Sequence, residues 1–284
     1  MDRSPISVVQ ALDDYYKEHI AVKAVAKRRA EYAIEALKKH FQQDLLRDIE
    51  IPACRIYALS RKVTDATIRR ELGVLQAAAN HALRWRRIAL DKMPSIELPK
   101  AEETKPVWLF KDELEHLLEV AESQNERVWR FCQLAYHTGS RRAAIENLPW
   151  SRVSFGPNRI DLQDPDAPVT KKRRPIVPVS EAMADELSLM QSSATTDWVL
   201  GSNTSIARCF ETVAAKAGLL ELPRSGLRSE GRLTPHVLRH SRATHLLQEG
   251  KPPWAVANLL GDSLTTVMRV YGHACPNYLE DVLT

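Results

Sequence analysis

Between Thr234 and His273 the chain reads TPHVLRHSRATHLLQEGKPPWAVANLLGDSLTTVMRVYGH. His236, Arg239 and His240 open this stretch at helical spacing. Two amphipathic segments follow, a turn at Gly261 and Asp262 lies between them, and Tyr271 stands nine residues beyond Asp262. An imidazole and a guanidinium at i and i+3 share one face of a helix. A guanidinium can clamp phosphate oxygens in pairs, an imidazole can take a proton near neutral pH, and a phenol becomes a nucleophile once its proton leaves. In that order, these residue types point to half of a phosphodiester-transfer site.

Earlier residues supply candidates for the other half. The segment Glu126 to His137 is apolar enough for a central core helix, and it stops at Thr138 and Gly139. Gly139 permits a sharp turn, after which Arg141 and Arg142 fall where a new helix begins, with Ile145, Leu148 and Trp150 to anchor it. A guanidinium delivered by a buried helix and a glycine turn suits bidentate phosphate contact. Glu146 reads as the partner of a neighbouring base. Arg159–Leu162 and Ala167–Val179 read as two strands of a β-hairpin whose tip carries Lys171, Lys172, Arg173 and Arg174. Four adjacent cations repel one another unless an anion lies nearby, so the tip is expected to touch DNA.

Helices are expected to carry these groups. Patterns at Ser7–Ile20, about Lys23–Phe41, Thr64–Trp85, Lys111–Glu122, Ser180–Gln191 and Thr204–Gly218 repeat apolar residues at helical intervals. Pro52 is expected to interrupt the chain after the second of these. A short apolar strand is expected at Trp198-Val-Leu, and 220–232 reads as a polar loop whose Arg224, Arg228 and Arg232 touch DNA or solvent. The Thr64–Trp85 helix exposes Arg69, Arg70, Arg84, Arg86 and Arg87, which either line a DNA backbone or face water. The stretch 95–108 has two prolines and no periodicity, so it reads as a linker with the boundary near residue 104.

Length and composition allow two domains with real cores, since 44% of the 284 residues are hydrophobic. No run of about 18 apolar residues and no apolar leader appears, so a soluble cytoplasmic protein is expected. Cys54, Cys132, Cys209 and Cys275 are widely spaced, which suggests buried free thiols rather than zinc or disulfides. Residues 1–100 hold 19 Lys/Arg against 13 Asp/Glu, a basic balance suited to a polyanion, whereas the remainder is slightly acidic.

With these motifs laid out, the chain resembles the tyrosine recombinases, the phage-integrase family, over most of its length. TGSRRAAIENLPW resembles the first box of the family, with Arg141 at its first arginine. TKKRRPIVP resembles the hairpin that carries the catalytic lysine, HVLRH the second box, and LLGDSLTTVMRVYGH the third, with Tyr271 at the spacing of the nucleophile. The resemblance implies a mainly α fold with a small β-sheet or hairpin: a helical core-DNA-binding domain at 1–98, a linker at 99–107, and an α+β catalytic domain of the DNA breaking-rejoining type at 108–284. It implies that Arg141 and Arg239 stabilise charge on the phosphorane, His236 takes the proton of Tyr271, and Lys171 protonates the leaving 5′ oxygen, with Lys172 as the alternative. The product is a 3′-phosphotyrosyl bond, which keeps the energy of the phosphodiester, so no cofactor or metal is implied.

The implied activity is site-specific recombination by a phage or mobile-element integrase. A type IB topoisomerase-like nicking-closing enzyme and a catalytically decayed DNA-binding regulator are the alternatives. Implied partners are double-stranded recombination sites and a homotetramer on DNA, with room for DNA-bending accessory proteins and none for a membrane. Two positions depart from the family pattern. Ala144 stands where an acidic residue is usual, and Asp262 replaces a histidine, exchanging a donor for a group that accepts. Asp262 either orients His236, Arg239 or Tyr271, or caps the helix that begins at Ser263. His240 and His245 read as packing or supporting groups, and PNYLEDVLT at the end as a further helical element.

Overall fold

The computed structural model describes residues 5–23, 27–100, 106–163, 175–226 and 228–276. The fold is mainly helical with small antiparallel sheets. The chain divides into two compact units, Met1–Glu103 and Thr104–Thr284. The expected linker at 99–107 falls largely on residues 101–105, outside the described residues.

In the first unit, α1 (Val8–Tyr15) starts where the Ser7 side chain accepts from the Gln10 amide. It widens into a π turn over Tyr16–Ile20 and continues as α2 (Ala21–Lys23). α3 (Lys27–His40) and α4 (Ile51–Ser60) follow. Pro52 does not break the chain as its sequence suggested. It lies in the first turn of α4, where a missing N–H costs nothing because those amides lack helical partners. The long α5 (Asp65–Arg84) buries Ile68, Leu72, Leu75, Ala78 and Ala79 against Val8, Leu12, Leu37 and Phe41. Each large apolar side chain buried this completely contributes roughly 1.5–3 kcal/mol. Glu71 in the same face is neutralised where it accepts from Tyr57 at 2.6 Å and Arg61 at 2.7 Å, joining α4 to α5. α5 ends with Arg86 in the left-handed region, φ 55°, as the Arg87 amide reaches back to the Ala82 carbonyl.

In the second unit, α6 (Lys111–Gln124), α7 (Glu126–Thr138) and α11 (Pro235–Gln248) build the core, with α7 packed on both others. Val128, Phe131, Cys132, Leu134 and Ala135 of α7 are buried, which is why this segment looked apolar nearly all round. The short α8 (Arg142–Glu146) leads into a three-stranded antiparallel sheet, β1 (Val153–Ser154), β2 (Arg159–Asp161) and β3 (Ile176–Pro178). Ile160 faces Val177 on the buried side of the expected hairpin. The tip of that hairpin, with Lys171, Lys172, Arg173 and Arg174, lies outside the described residues. α9 (Glu181–Ser192) and α10 (Ala207–Lys216) follow. At 198–200 the chain makes a single bridge from Trp198 to Pro149 and then turns, so Val199 and Leu200 are buried without the expected strand.

The expected loop 220–232 contains paired strands, β4 (Glu221–Leu222) and β5 (Gly231–Arg232). Within it Arg228 is 2% exposed rather than at a DNA surface or in solvent. Its guanidinium meets Glu113 at 2.5 Å, donates to the Pro223 carbonyl and lies 4.6 Å from the Phe110 ring, so it ties the loop to the start of α6. α12 (Pro253–Leu260) and α13 (Leu264–Tyr271) complete the unit and share a smaller apolar cluster with the end of α11. Of the four cysteines, all free, Cys54 and Cys132 are buried, whereas Cys209 and Cys275 are only partly so. No described helix is long and apolar enough to cross a membrane.

Candidate active site

The first arginine is positioned by the end of α7. Thr138 closes the helix, donating to the Leu134 carbonyl and accepting from the Ser140 amide, and Gly139 reverses the chain at φ 62°. A Cβ at Gly139 would stand 2.5 Å from Leu260 Cδ2, so glycine is required by conformation and by space. Arg141 then caps α8, which Ala144 and Ile145 hold in the core. Its guanidinium donates to Oδ1 of Asp262 at 2.5 Å. Glu146 accepts from the Ile206 amide and lies 3.4 Å from Arg142, a bracing role on α8 itself.

Arg239 of α11 reaches the same carboxylate from the other side. It is 2% exposed, and a buried cation is tolerated only when fully partnered. Its Nη1 donates to the carbonyls of Gly139 at 2.7 Å and Leu260 at 2.8 Å, and its Nη2 donates to Oδ2 of Asp262. Those carbonyls belong to the C-terminal ends of α7 and α12, where the helix dipoles are negative. Burial pushes the guanidinium pKa down, and the carboxylate of Asp262 opposes that shift.

Asp262 is placed by another left-handed glycine. Gly261, φ 65°, ends α12, and the Asp262 amide bonds back to Ala257. The cap of α13 is Ser263, whose hydroxyl accepts from the Thr266 amide. Of the two roles open to Asp262 in the sequence, the geometry therefore gives the helix cap to its neighbour. It gives Asp262 one carboxylate oxygen on each of two arginines.

Tyr271 is the last residue of α13 and 3% exposed. Its hydroxyl lies 2.7 Å from Nδ1 of His240. Burial pushes the phenol pKa up to about 12, with Arg239 pulling it down and Asp262 pushing it up. The imidazole of His240 is held down at about 3, first by burial and then by the charges of His236 and Arg239, against the pull of Asp262. His236 is exposed, and its ring meets that of His240 edge-on at 4.6 Å. The described contact of the hydroxyl is thus with His240, whose ring lies against that of His236, the residue the sequence proposed as the proton acceptor. The available signal was the i, i+4 spacing of the two histidines, which sets both on one face of α11.

The structure thus brings Arg141, Arg239, Asp262, Tyr271 and His236 together, while Lys171 lies outside the described residues. His245, on the next turn, is a supporting group. Its Nε2–H donates to the Leu109 carbonyl at 2.9 Å, which leaves Nδ1 to accept from Tyr136. In the first unit Arg69, Arg70, Arg84 and Arg86 are exposed, although Arg69 donates to the Pro99 carbonyl. Arg87 instead pairs with Asp14 at 3.0 Å and Glu18 at 2.6 Å. Among the described residues no three His, Cys, Asp or Glu side chains are grouped to hold a metal ion.

Comparison with known proteins bears on the family and the fold. The sequence profile of the phage integrase family matches residues 107–277. Tyrosine recombinase XerD of Rhizobium meliloti is 27% identical over 203 residues, 66% of this chain and 63% of that protein. The integrase of Haemophilus phage HP1 is 27% identical over 221 residues, 77% of this chain and 59% of the phage protein. The aligned stretch thus covers less than two thirds of either relative. XerD of Shewanella oneidensis is 26% identical over 264 residues, covering 86% of this chain and 85% of that one. Among solved structures, the Tn1549 transposon integrase in complex with transposon right end DNA superposes with a TM-score of 0.79 at 16% identity, over 98% of both chains. A lambda integrase dimer bound to a COC′ core site gives 0.72 at 17% identity, over 94% of this chain and 78% of that one.

Proposed function

The chain belongs to the phage integrase family, and from that premise we propose that it is a site-specific DNA recombinase that cuts and rejoins strands through a phosphotyrosyl bond at Tyr271. One observation carries the reading. Two guanidiniums from separate helices, Arg141 and Arg239, converge on a single carboxylate, beside a buried tyrosine hydroxyl. A carboxylate with one oxygen on each arginine has the charge and the paired acceptors of a phosphodiester's non-bridging oxygens. Asp262 therefore marks the seat of the scissile phosphate, and the incoming phosphate shares or takes its donors.

The chemistry follows from those charges. In-line attack on a DNA phosphate adds negative charge in the pentacoordinate transition state, and two preoriented cations favour that state over the ground state. The hydroxyl of Tyr271 gives up its proton as its oxygen bonds to phosphorus. A histidine of α11 receives that proton, with His236 on the exposed side where substrate enters. The 5′ oxygen leaves with a proton from Lys171 or Lys172 of the hairpin, and the 3′ phosphate stays on Tyr271. Rejoining reverses these steps on a new 5′ hydroxyl, with no external energy source because the bond count is preserved.

The rest of the chain serves the same task. Residues 1–98 act as a core-DNA-binding domain and 108–284 as the catalytic domain. Arg69, Arg70 and Arg86, with Lys172, Arg173 and Arg174, contact the DNA backbone. Recombination joins four strands, so the working form is a homotetramer on paired sites. A solved lambda integrase tetramer is bound to a Holliday junction, with a TM-score of 0.70 at 17% identity over 93% of this chain and 78% of that one. The deciding experiment uses a substrate nicked near the scissile phosphate, so that cleavage traps a covalent 3′ adduct. Wild type is expected to form the adduct and Tyr271→Phe none. An equal yield from both would sink the reading, and relaxation of supercoiled plasmid lacking the site would favour a topoisomerase.

A further inference from the structure

His240 follows Arg239 directly, so the residue that clamps phosphate and the residue that touches the nucleophile are adjacent on α11. The contact is specific: Nδ1 lies 2.7 Å from the Tyr271 hydroxyl, with the two rings 5.6 Å apart. The ring of His240 is itself located by the edge of His236. Around it stand Arg239 and His236 on its own helix, Asp262 from the turn after α12, and Tyr271 from α13. Arg141 reaches the same Asp262 from α8. This is a predominantly cationic surrounding, and an additional imidazolium is disfavoured in it. A neutral ring must therefore use the lone pair of one nitrogen, and the phenol is the natural donor to it.

We propose that His240 is the positioning residue of the nucleophile: its neutral imidazole, through Nδ1, holds the Tyr271 hydroxyl beside the arginine pair. The consequence for strand cleavage rests on the recombinase reading, whereas the hydrogen bond itself can be observed without DNA. The wide separation of the two groups' pKa values, about 12 for the phenol and about 3 for the ring, keeps the shared proton on oxygen. His240 thus fixes where the oxygen lies and leaves it uncharged until phosphate arrives. A side chain serving only to fill space would need neither nitrogen.

Two measurements on the full chain test this. In the first, imidazole nitrogen NMR of the DNA-free protein is expected to show His240 with an unprotonated Nδ1 and a protonated Nε2 between about pH 5 and 8. Tyr271→Phe, which removes one hydroxyl, is expected to shift the Nδ1 resonance. A His240 that titrates at an ordinary histidine value, or whose resonances ignore Tyr271→Phe, overturns the proposal. In the second, single-turnover cleavage of the nicked substrate is expected to slow on the order of 10²-fold in His240→Phe, since a reacting oxygen displaced by about 1 Å costs that much. His240→Asn places a polar amide near the position of Nδ1 and is expected to recover at least a tenth of the wild-type rate. Thermal melts confirm that both variants fold. Full activity in His240→Phe, or a folded His240→Asn as slow as the phenylalanine variant, contradicts a positioning role. If wild type forms no adduct, the recombinase reading fails, and the NMR result alone decides whether His240 holds Tyr271.

Discussion

Asp262→Asn removes one charge without changing shape, and its effect can be worked from the contacts. In the wild type each carboxylate oxygen serves one guanidinium, and the site carries two cations and one anion within hydrogen-bonding distance. Asparagine can accept at one oxygen only, and it turns an NH₂ donor toward the other cation. Breaking a buried ion pair in this way costs about 3–5 kcal/mol. Two features reduce that figure. Arg239 keeps the carbonyls of Gly139 and Leu260, and the Arg141 side chain is 28% exposed, so that it can turn toward water. The expected loss is about 2–3 kcal/mol, or roughly 5–10 °C in melting temperature for a unit of this size. The two released guanidiniums also form a better anion site. Sulfate or inorganic phosphate is therefore expected to raise the melting temperature of Asp262→Asn more than that of wild type, by mass action on the folded state. Calorimetry with and without sulfate reads both effects. A variant that melts like wild type and responds no more to sulfate would refute the idea that Asp262 occupies the phosphate seat.

Two other perturbations probe different parts of the chain. Arg86 carries a side chain at φ 55°, where glycine is usually found at a helix end. Arg86→Gly should be neutral or gain up to about 1 kcal/mol by urea unfolding, since relief of left-handed strain outweighs the added freedom of the unfolded chain. It should also lower the salt slope of DNA binding by about one counterion. A clear loss of stability, or an unchanged slope, counts against a strained arginine kept for DNA. The pH dependence of folding should bear the mark of His240. Its folded pKa, near 3, lies below the unfolded value of about 6.5, so the folded protein binds the proton less tightly. Its contribution to stability is complete above about pH 6.5 and falls away as pH drops toward 3. Between pH 7 and 4.5 wild type should lose up to about 2 kcal/mol more than His240→Asn, and equal losses would contradict the shift.

The clustering of Arg141, Arg239 and Tyr271 could be anticipated from the sequence because their residue types suggest a common chemistry and their placement follows local rules. Gly139 announces a turn, an i, i+3 spacing sets a helical face, and Tyr271 keeps a fixed distance from the Gly261 turn. The boundaries of α5 and α7 were legible for the same reason, since each depends on periodic apolar residues and a local stop. What escaped depended on residues far apart in the chain. Nothing near Asp262 reveals that Arg141, 121 positions earlier, donates to it. Arg228 looked like a loop arginine because Glu113 and Phe110, which bury it, belong to another element. Pro52 was misleading for a different reason, as the same missing N–H that ends a helix is harmless in its first turn.

Two of the left-handed glycines, Gly139 and Gly261, explain why such distant groups meet. Each ends a helix, so each leaves carbonyls at a negative dipole end, and each is followed within two residues by a charged side chain. The carbonyls of Gly139 and Leu260 both point to Arg239, and the side chains that follow, Arg141 and Asp262, then bond to one another. Arg239 is thus the common centre of two helix ends, and its burial is offset by the geometry that delivers its neighbours. The same economy applies to Tyr271. α13 cannot begin until Ser263 caps it, one residue after Asp262, and its last residue is Tyr271, seated on His240 next to Arg239. Charge neutralisation and placement of the Tyr271 hydroxyl are therefore set by one short path through Gly261, Asp262, Ser263 and Tyr271. A shift in that path would move the arginine partner and Tyr271 together. On the proposed reading, a phosphate that displaced Asp262 from Arg141 and Arg239 would act one residue before the cap of the helix that carries Tyr271.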